Sequence, residues 1–499
     1  MPRKIGRALD VKAPIAIWQV FVFLLAVLLS CYSPVLMTSY AVSDDYSVLA
    51  ASLQGRMAEE KALRIAGGRP TDALLMNFLF SYVNDIGDLR YLRLLSIIGI
   101  TLLAWSVYRT LRRVGWGSYA SVFLSVIVCA MPPFQQHASW AVSALYPFAA
   151  VVSGGAFSMA EQGFEERRPL YKWSLTARAV LLELLALTIY QPAAMFFWVF
   201  AAIVLFKPGA LLPCILRRFV WYSAIVFTGL ILGFGVYKLG LAMYGHKLPP
   251  MRSQLVQDVG EKVFWFFRQP LTNALNLAKL SAKRWLALSI AIFLFGGLMM
   301  YFPGRIQERL SKLLVALFVI PLSYLPNLVV AESWSAYRTL SALTAVVVVY
   351  TFFALWGCGQ ILRRPVIASV LMTVALGFFA LGSSLLAAYN VSTYFASPLS
   401  LELTVMRSQL AQQDLTQARS IYVIGSRIQD SVAPKGRYDE FGRPFSSSPW
   451  GSWSAVYILL REISPQRANL PIEPVSAEGP IKPPPNALVI DMRKLSSFR

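Results

Sequence analysis

Residues Val366–Tyr389 read VIASVLMTVALGFFALGSSLLAAY, an uncharged run that directly follows Arg363, Arg364 and Pro365. A helix rises about 1.5 Å per residue, so roughly 20 apolar residues cross the hydrocarbon core of a bilayer. This run is long enough to do so. Working back along the chain, similar runs recur at Leu340–Trp356, Leu313–Val330, Trp285–Phe302 and Val220–Leu241. Earlier ones lie at Ala193–Phe206, in a segment ending near Tyr190, and at Ala141–Met159, Tyr119–Met131, Tyr91–Tyr108 and Ile15–Met37. The expected fold is therefore an all-α polytopic membrane protein of about eleven transmembrane helices.

Parity supports that count. If each run crosses once, the clusters Arg109/Arg112/Arg113, Arg167/Arg168/Lys172, Lys207/Arg217/Arg218, Arg305/Arg309/Lys312 and Arg363/Arg364 share a face with Arg3, Lys4, Arg7 and Lys12. Short basic loops mark the cytoplasmic side. The opposite loops, Pro132–Trp140, the Tyr190-Gln191-Pro192 corner and Ala331–Arg338, are nearly free of Lys and Arg. The N-terminus is thus expected inside and the C-terminus outside.

Composition agrees. Of 499 residues, 57% are hydrophobic and only 14% charged, against roughly 25% charged in a soluble protein. The net charge of +21 sits in short clusters between apolar runs, which argues against a nucleic-acid partner. The four cysteines, Cys31, Cys129, Cys214 and Cys358, show neither metal-ligand spacing nor a disulfide framework. Cys31 ends a Leu-Leu-Ser-Cys string like a lipoprotein processing site, but the apolar run continues to Met37, which favours an uncleaved span.

Two regions follow. Residues 1–390 form the transmembrane domain, with external loops at 38–90 and 242–284. Residues 391–499 form a small extracytoplasmic α/β domain, with strands expected at Ile421–Ile424 and Ala487–Ile490 and a helix or strand at Ala455–Ile463.

The chemistry is expected on the outer face. The first loop carries Ser43-Asp44-Asp45-Tyr46 and Gly67-Gly68-Arg69-Pro70. Two adjacent carboxylates raise each other's pKa unless a cation offsets the repulsion, so the pair reads as a general base, with a divalent cation (Mg or Mn) beside Asp44 and Asp45 left open; the plainer alternative is a solvated acidic loop. Gln135, Gln136, His137, Tyr190, Gln191, Glu332, Trp334, Tyr337 and Arg338 share that face. His137 alone reads more readily as a structural hydrogen-bonder than a ligand. Glu183 is an acid inside a span, by default a functional candidate. Arg69–Asp85 and Ser253–Leu280 are amphipathic at helical spacing, fit either for the membrane interface or for packing onto the bundle.

Ser43-Asp44-Asp45-Tyr46, Gly68-Arg69-Pro70 and the Tyr190-Gln191 corner resemble the type II O-antigen glucosyltransferase family, membrane glycosyltransferases of the GT-C class. The likeness covers roughly residues 1–390. It implies a bacterial inner-membrane, multi-pass enzyme with a periplasmic C-terminus. That enzyme would take a hexose, such as glucose, from a polyprenyl-phosphate donor to a cell-surface glycan, an O-antigen or related polysaccharide, with inversion. It implies Asp44 as base with Asp45 as its partner, and Arg69 on the donor phosphate. Arg338 joins Arg69 from its sidedness. Tyr190, Gln191, His137 and Glu332 are the candidates for sugar and acceptor contacts. The rival class is a transporter or flippase of lipid-linked saccharides, which predicts several charges at span centres; only Glu183 lies deep. An assembly subunit would leave the paired acids without a purpose.

Overall fold

A computed structural model describes residues 17–244, 254–280, 283–362, 364–415, 418–434, 439–479 and 483–498. The basic cluster Arg3, Lys4, Arg7 and Lys12, the expected span start at Ile15, and His246, Ser253 and Arg363 lie outside them.

The long apolar runs become helices, the form that satisfies every backbone N–H and C=O within the segment when no water is at hand. Among the described residues seven helices are long and apolar enough to cross a membrane: Trp18–Met37, Leu89–Arg113, Ala141–Glu165, Leu212–Tyr244, Arg284–Tyr301, Ser341–Gly359 and Val366–Ala411. An eighth arises if Ser118–Ala130 and Pro132–Ser139, bent by 61° at Met131, form one broken span. The remaining three expected spans are also helical. Pro169–Ile189 carries Lys172, Arg178 and Glu183; Gln191–Leu205 and Ile306–Leu322 are short.

The bundle has a centre and a rim. Ser341–Gly359 is central and largely buried; Leu212–Tyr244 and Val366–Ala411 are peripheral and mostly uncovered. Ile231, Leu239, Phe378 and Leu385 on those outer helices point away from the core, an apolar belt fit for lipid. Arg284–Tyr301 crosses Ser341–Gly359 at two glycines. A Cβ on Gly297 would stand 2.5 Å from Ala354 Cβ, and one on Gly357 would stand 2.2 Å from Gly297 O. Small residues at such a crossing let backbones approach closely.

The bend at Met131 matters most for the site. The tandem Pro132-Pro133 lacks donors for the preceding turn, and the residue before a proline avoids the helical region; Met131 sits at φ −67°, ψ 157°. The short helix Pro132–Ser139 therefore turns aside, and Gln135, Gln136, His137 and Trp140 are buried rather than displayed on a loop.

The segment expected as the first external loop is helical almost throughout: Ser43–Leu53, Met57–Ala66 and Pro70–Phe80. The second holds Val259–Arg268 and Pro270–Leu275. At the expected boundary near residue 390 the helix does not end. It passes through a π-helical turn at Ser392–Ala396 and continues to Ala411. Beyond it lies a three-stranded parallel sheet in the order β2-β1-β3, with β1 Ser420–Ile424, β2 Ile472–Val475 and β3 Ala487–Asp491. Pro474 is tolerated because β2 is an edge strand. The segment open to helix or strand is the helix Pro449–Ile463, which packs against Ser43–Leu53.

Candidate functional site

Ser43-Asp44-Asp45-Tyr46 opens a helix, and this separates the two acids. Successive residues on a helix point about 100° apart. Asp45 turns inward and is fully buried. Its Oδ2 accepts from Val42 N–H at 3.2 Å, at the start of its own helix, and its Oδ1 accepts from Val142 N–H at 2.9 Å, in the 3-10 turn Ala141–Ser143. Asp45 thus ties the first loop to the turn after Trp140. Burial pushes its carboxyl above the ordinary value, opposed by the Arg93 charge and those N–H groups. Arg93 is itself buried; its guanidinium donates to the carbonyls of Val35 (2.9 Å), Thr38 (3.4 Å) and Tyr40, and lies 3.7 Å from the Tyr40 ring centre.

Asp44 turns outward and is half-buried. Its Oδ1 accepts from Trp450 Nε1–H at 3.2 Å, across from the C-terminal domain. The same seam holds the Tyr46 ring against Phe445, with centres 4.6 Å apart. Gly451 sits where a Cβ would come within 3.1 Å of Ser43 Cβ. The paired acids therefore mark the seat of the C-terminal domain.

Gly67-Gly68-Arg69-Pro70 is a turn between helices. Gly68 holds φ +75°, and a Cβ there would meet Tyr237 at 3.1 Å and Gln191 at 3.2 Å. Gln191 Nε2 donates to the carbonyls of Gly67 (3.3 Å) and Gly68 (3.2 Å), so its amide sets the turn. Arg69 then precedes the helix that Pro70 starts. Its Nη1 donates to Tyr146 Oη at 3.0 Å. The Tyr146 ring stacks on Tyr190, centres 3.7 Å apart and 3° from parallel, and His137 stands edge-on to both at 5.7 and 6.2 Å.

Arg338 arrives from the other side. Its backbone N–H donates to Gln136 Oε1 at 2.8 Å. Its guanidinium lies 4.8 Å from the Trp140 ring centre and 4.4 Å from Trp334, and Nη1 is 3.7 Å from Glu440 Oε1. Asp439 Oδ2 accepts from Tyr337 N–H at 2.9 Å. Burial works against the Arg338 charge, but Tyr190, Glu440, Asp44 and Asp439 outweigh it and raise its pKa. Burial pushes the Tyr190 phenol up, against both Arg338 and Arg69. It pushes up the Asp439 and Glu440 carboxyls too, again against Arg338.

The structure thus brings Arg69, His137, Tyr190 and Arg338 to one cage, with Asp44 within electrostatic reach of Arg338. Gln191 underpins it. Glu332 belongs to another knot, where its carbonyl accepts from Lys262 Nζ at 2.7 Å. Within the cage, both His137 ring nitrogens, Gln136 Nε2 and Trp140 Nε1 are buried and make no hydrogen bond to protein among the described residues. Buried polar groups are nearly always paired; these orphans, like Trp116 Nε1 and Trp198 Nε1 elsewhere in the bundle, leave room for water or a polar ligand.

A divalent cation fits the paired acids poorly. Both Asp45 oxygens already accept backbone N–H groups, and among the described residues no group of three or more His, Cys, Asp or Glu is placed to hold a metal.

Sequence reading missed Tyr146, Trp140, Arg93, Trp450, Asp439 and Glu440. Arg93 left a signal, a charge inside an expected span. Asp439 and Glu440 left none, because their role comes from a contact with Arg338. No protein-family model matches the chain, and no curated protein matches it.

Proposed function

We propose that this chain is a membrane glycosyltransferase of the GT-C kind. It moves a hexose from a polyprenyl-phosphate donor to a cell-surface glycan on the extracytoplasmic face. In this reading the chain crosses the inner membrane eleven times, with its N-terminus in the cytoplasm and its C-terminus outside. One observation carries the proposal: Arg69 donates at 3.0 Å to Tyr146, which stacks on Tyr190, and the charge of Arg338, from a distant segment, acts on both Tyr190 and Asp44.

The mechanism follows from those groups. Guanidinium matches phosphate oxygens with paired donors, so Arg69 and Arg338 hold the donor phosphate and stabilise the charge that grows on it as it leaves. The stacked Tyr146 and Tyr190 rings, with His137 beside them, offer a flat face and hydrogen-bonding groups to the sugar. The acceptor hydroxyl oxygen attacks the anomeric carbon from the side opposite the phosphate. The bond to phosphate breaks with its electron pair, and Asp44 takes the hydroxyl proton. A single displacement inverts the anomeric centre. Asp45 holds the geometry rather than the proton. A lipid donor also fits the next helix: Pro70–Phe80 begins at Arg69 and turns Leu74, Leu75 and Phe78 outward, a face along which a polyprenyl tail would lie.

The test is transfer of radiolabelled hexose from polyprenyl phosphate to delipidated envelope polysaccharide by the purified protein. Transfer by wild type that is lost in Asp44→Asn supports the reading. No transfer by wild type, with movement of the lipid-linked sugar across proteoliposomes, replaces it with transport; the buried acid Glu183, inside an expected span, is what that alternative would build on.

A further inference from the structure

A cavity opens beside Asp44, whose carboxylate accepts from Trp450 on its wall. It is a groove of about 390 Å³ between the first external loop and the C-terminal domain, lined on one wall by Ser47, Arg56, Glu59 and Glu60 and on the other by Trp450 and Trp453. That volume lies within the roughly 300–1,000 Å³ usual for ligand clefts. Its walls are fixed to each other. Arg461 Nη1 donates to Leu53 O at 2.8 Å, and Trp450 Nε1–H reaches Asp44. Asp44 is not itself in the lining, but Trp450, which is, donates to its carboxylate at 3.2 Å, so the carboxylate lies just behind that wall.

The chemistry of the lining is specific. Trp450 is 51% exposed, an indole left open in a polar rim. Trp453 is braced by Tyr457, their rings 1° from parallel at 5.6 Å, and Arg56 lies 5.6 Å from its ring centre. Two flat indoles offer apolar faces of pyranose size, while carboxylates and hydroxyls offer acceptors for ring hydroxyls. Two acids against one arginine leave the groove negative, and Asp44 adds to that: its charge and that of Glu60 already act on each other. An anion is disfavoured here, in contrast to the cage of Arg69 and Arg338.

We infer that this groove is a binding site for a neutral saccharide chain, held by stacking on Trp450 and Trp453 and by hydrogen bonds to Glu59 and Glu60, with its end delivered to Asp44. The inference rests on the transferase reading only in calling that chain the acceptor. The C-terminal domain is then part of the substrate site, since it supplies both indoles.

The full-length protein in nanodiscs is tested against an array of neutral and acidic oligosaccharides and delipidated envelope polysaccharide. Wild type should hold at least one neutral saccharide. Trp453→Ala should weaken it by tenfold or more, Trp453→Phe should keep most of it, and Glu59→Gln should weaken it without a change in thermal stability. Should Trp453→Ala misfold, Trp453→Phe and Glu59→Gln carry the test. No saccharide bound by wild type, binding of acidic chains alone, or neutral binding indifferent to both Trp453→Ala and Glu59→Gln would overturn the inference. Saccharide binding that depends on Trp453, without any sugar transfer, keeps the groove and removes the transferase reading. Transfer with an acceptor KM unchanged in Trp453→Ala does the reverse.

Discussion

Exchanging Asp44 and Asp45 for asparagine, one at a time, should separate a proton acceptor from a structural anchor. Asp45 accepts two backbone N–H groups with its two oxygens, at 3.2 and 2.9 Å. Asparagine has one carbonyl oxygen, so one buried N–H would face an amide NH2. A hydrogen bond to a charged group contributes about 1.5–3 kcal/mol, so Asp45→Asn should lose about 2–3 kcal/mol of stability. A pH signature goes with it. The folded pKa is raised by burial, so between the ordinary and the raised value the folded chain binds the proton more tightly than the unfolded one. Stability therefore falls as pH rises through that window, and Asp45→Asn should flatten the fall. Asp44→Asn keeps an oxygen for Trp450 and should stay within about 0.5 kcal/mol of wild type. Its sugar transfer should fall roughly 10²–10⁴-fold, the usual worth of a general base, with donor binding largely kept. The assays are detergent-to-SDS unfolding followed by tryptophan fluorescence, and transfer from polyprenyl-phosphate hexose. Unchanged unfolding of Asp45→Asn would refute the anchor, and near-full transfer by a folded Asp44→Asn would refute the base.

Arg69→Lys keeps the charge but loses the planar fork, so donor KM should rise at least tenfold; Arg338→Lys should do the same and also lose its contacts with Trp140 and Trp334. An unchanged donor KM in either would remove that residue from the phosphate site. In a background free of native cysteines, Ser81→Cys and Glu478→Cys should react with an impermeant thiol reagent in cells with a permeabilised outer membrane, and Gln307→Cys should not; the opposite pattern would invert the topology. Burial pulls the Lys262 ammonium down to about 8, opposed by Glu332. The unfolded chain then holds the proton more tightly between about 8 and the ordinary 10.5, so stability should rise with pH across that range. Lys262→Met should abolish the rise in an unfolding series, and an identical slope in the variant would show that Lys262 does not cause it.

The apolar runs were legible because length and lack of charge are local properties, and a helix or helix pair stands at each of the eleven. Other features were not local. The loss of apolar character near Asn390 reads as a domain boundary, yet the helix continues to Ala411; composition registers where a helix changes surroundings, not where it stops. Asp44 and Asp45 look equivalent in sequence, and only their place at a helix start turns one in and the other out. Gln191 was expected at the sugar, but the Gly68 turn claims its amide. Asp439 and Glu440 gain their roles from partners 102 residues away and Trp450 from one 406 away, which no spacing rule reaches. Arg93 could have been singled out, since a charge within an apolar span must be satisfied by something, here three carbonyls.

The position of Asp44 gives the site its logic. Arg338 and, through Tyr190, Arg69 belong to the cage, and Glu60 and the two indoles to the groove. In the proposed reading a phosphate-bearing lipid and an uncharged polyol would be sorted between cage and groove by charge alone. A carboxylate shared by the two would meet both where they react. Glu440, 3.7 Å from the Arg338 guanidinium, limits how much of that charge would reach the donor. The C-terminal domain contributes to both halves, Asp439 and Glu440 to the first and Trp450 and Trp453 to the second. Its docking on Ser43–Leu53 is then what brings the two halves to a common carboxylate.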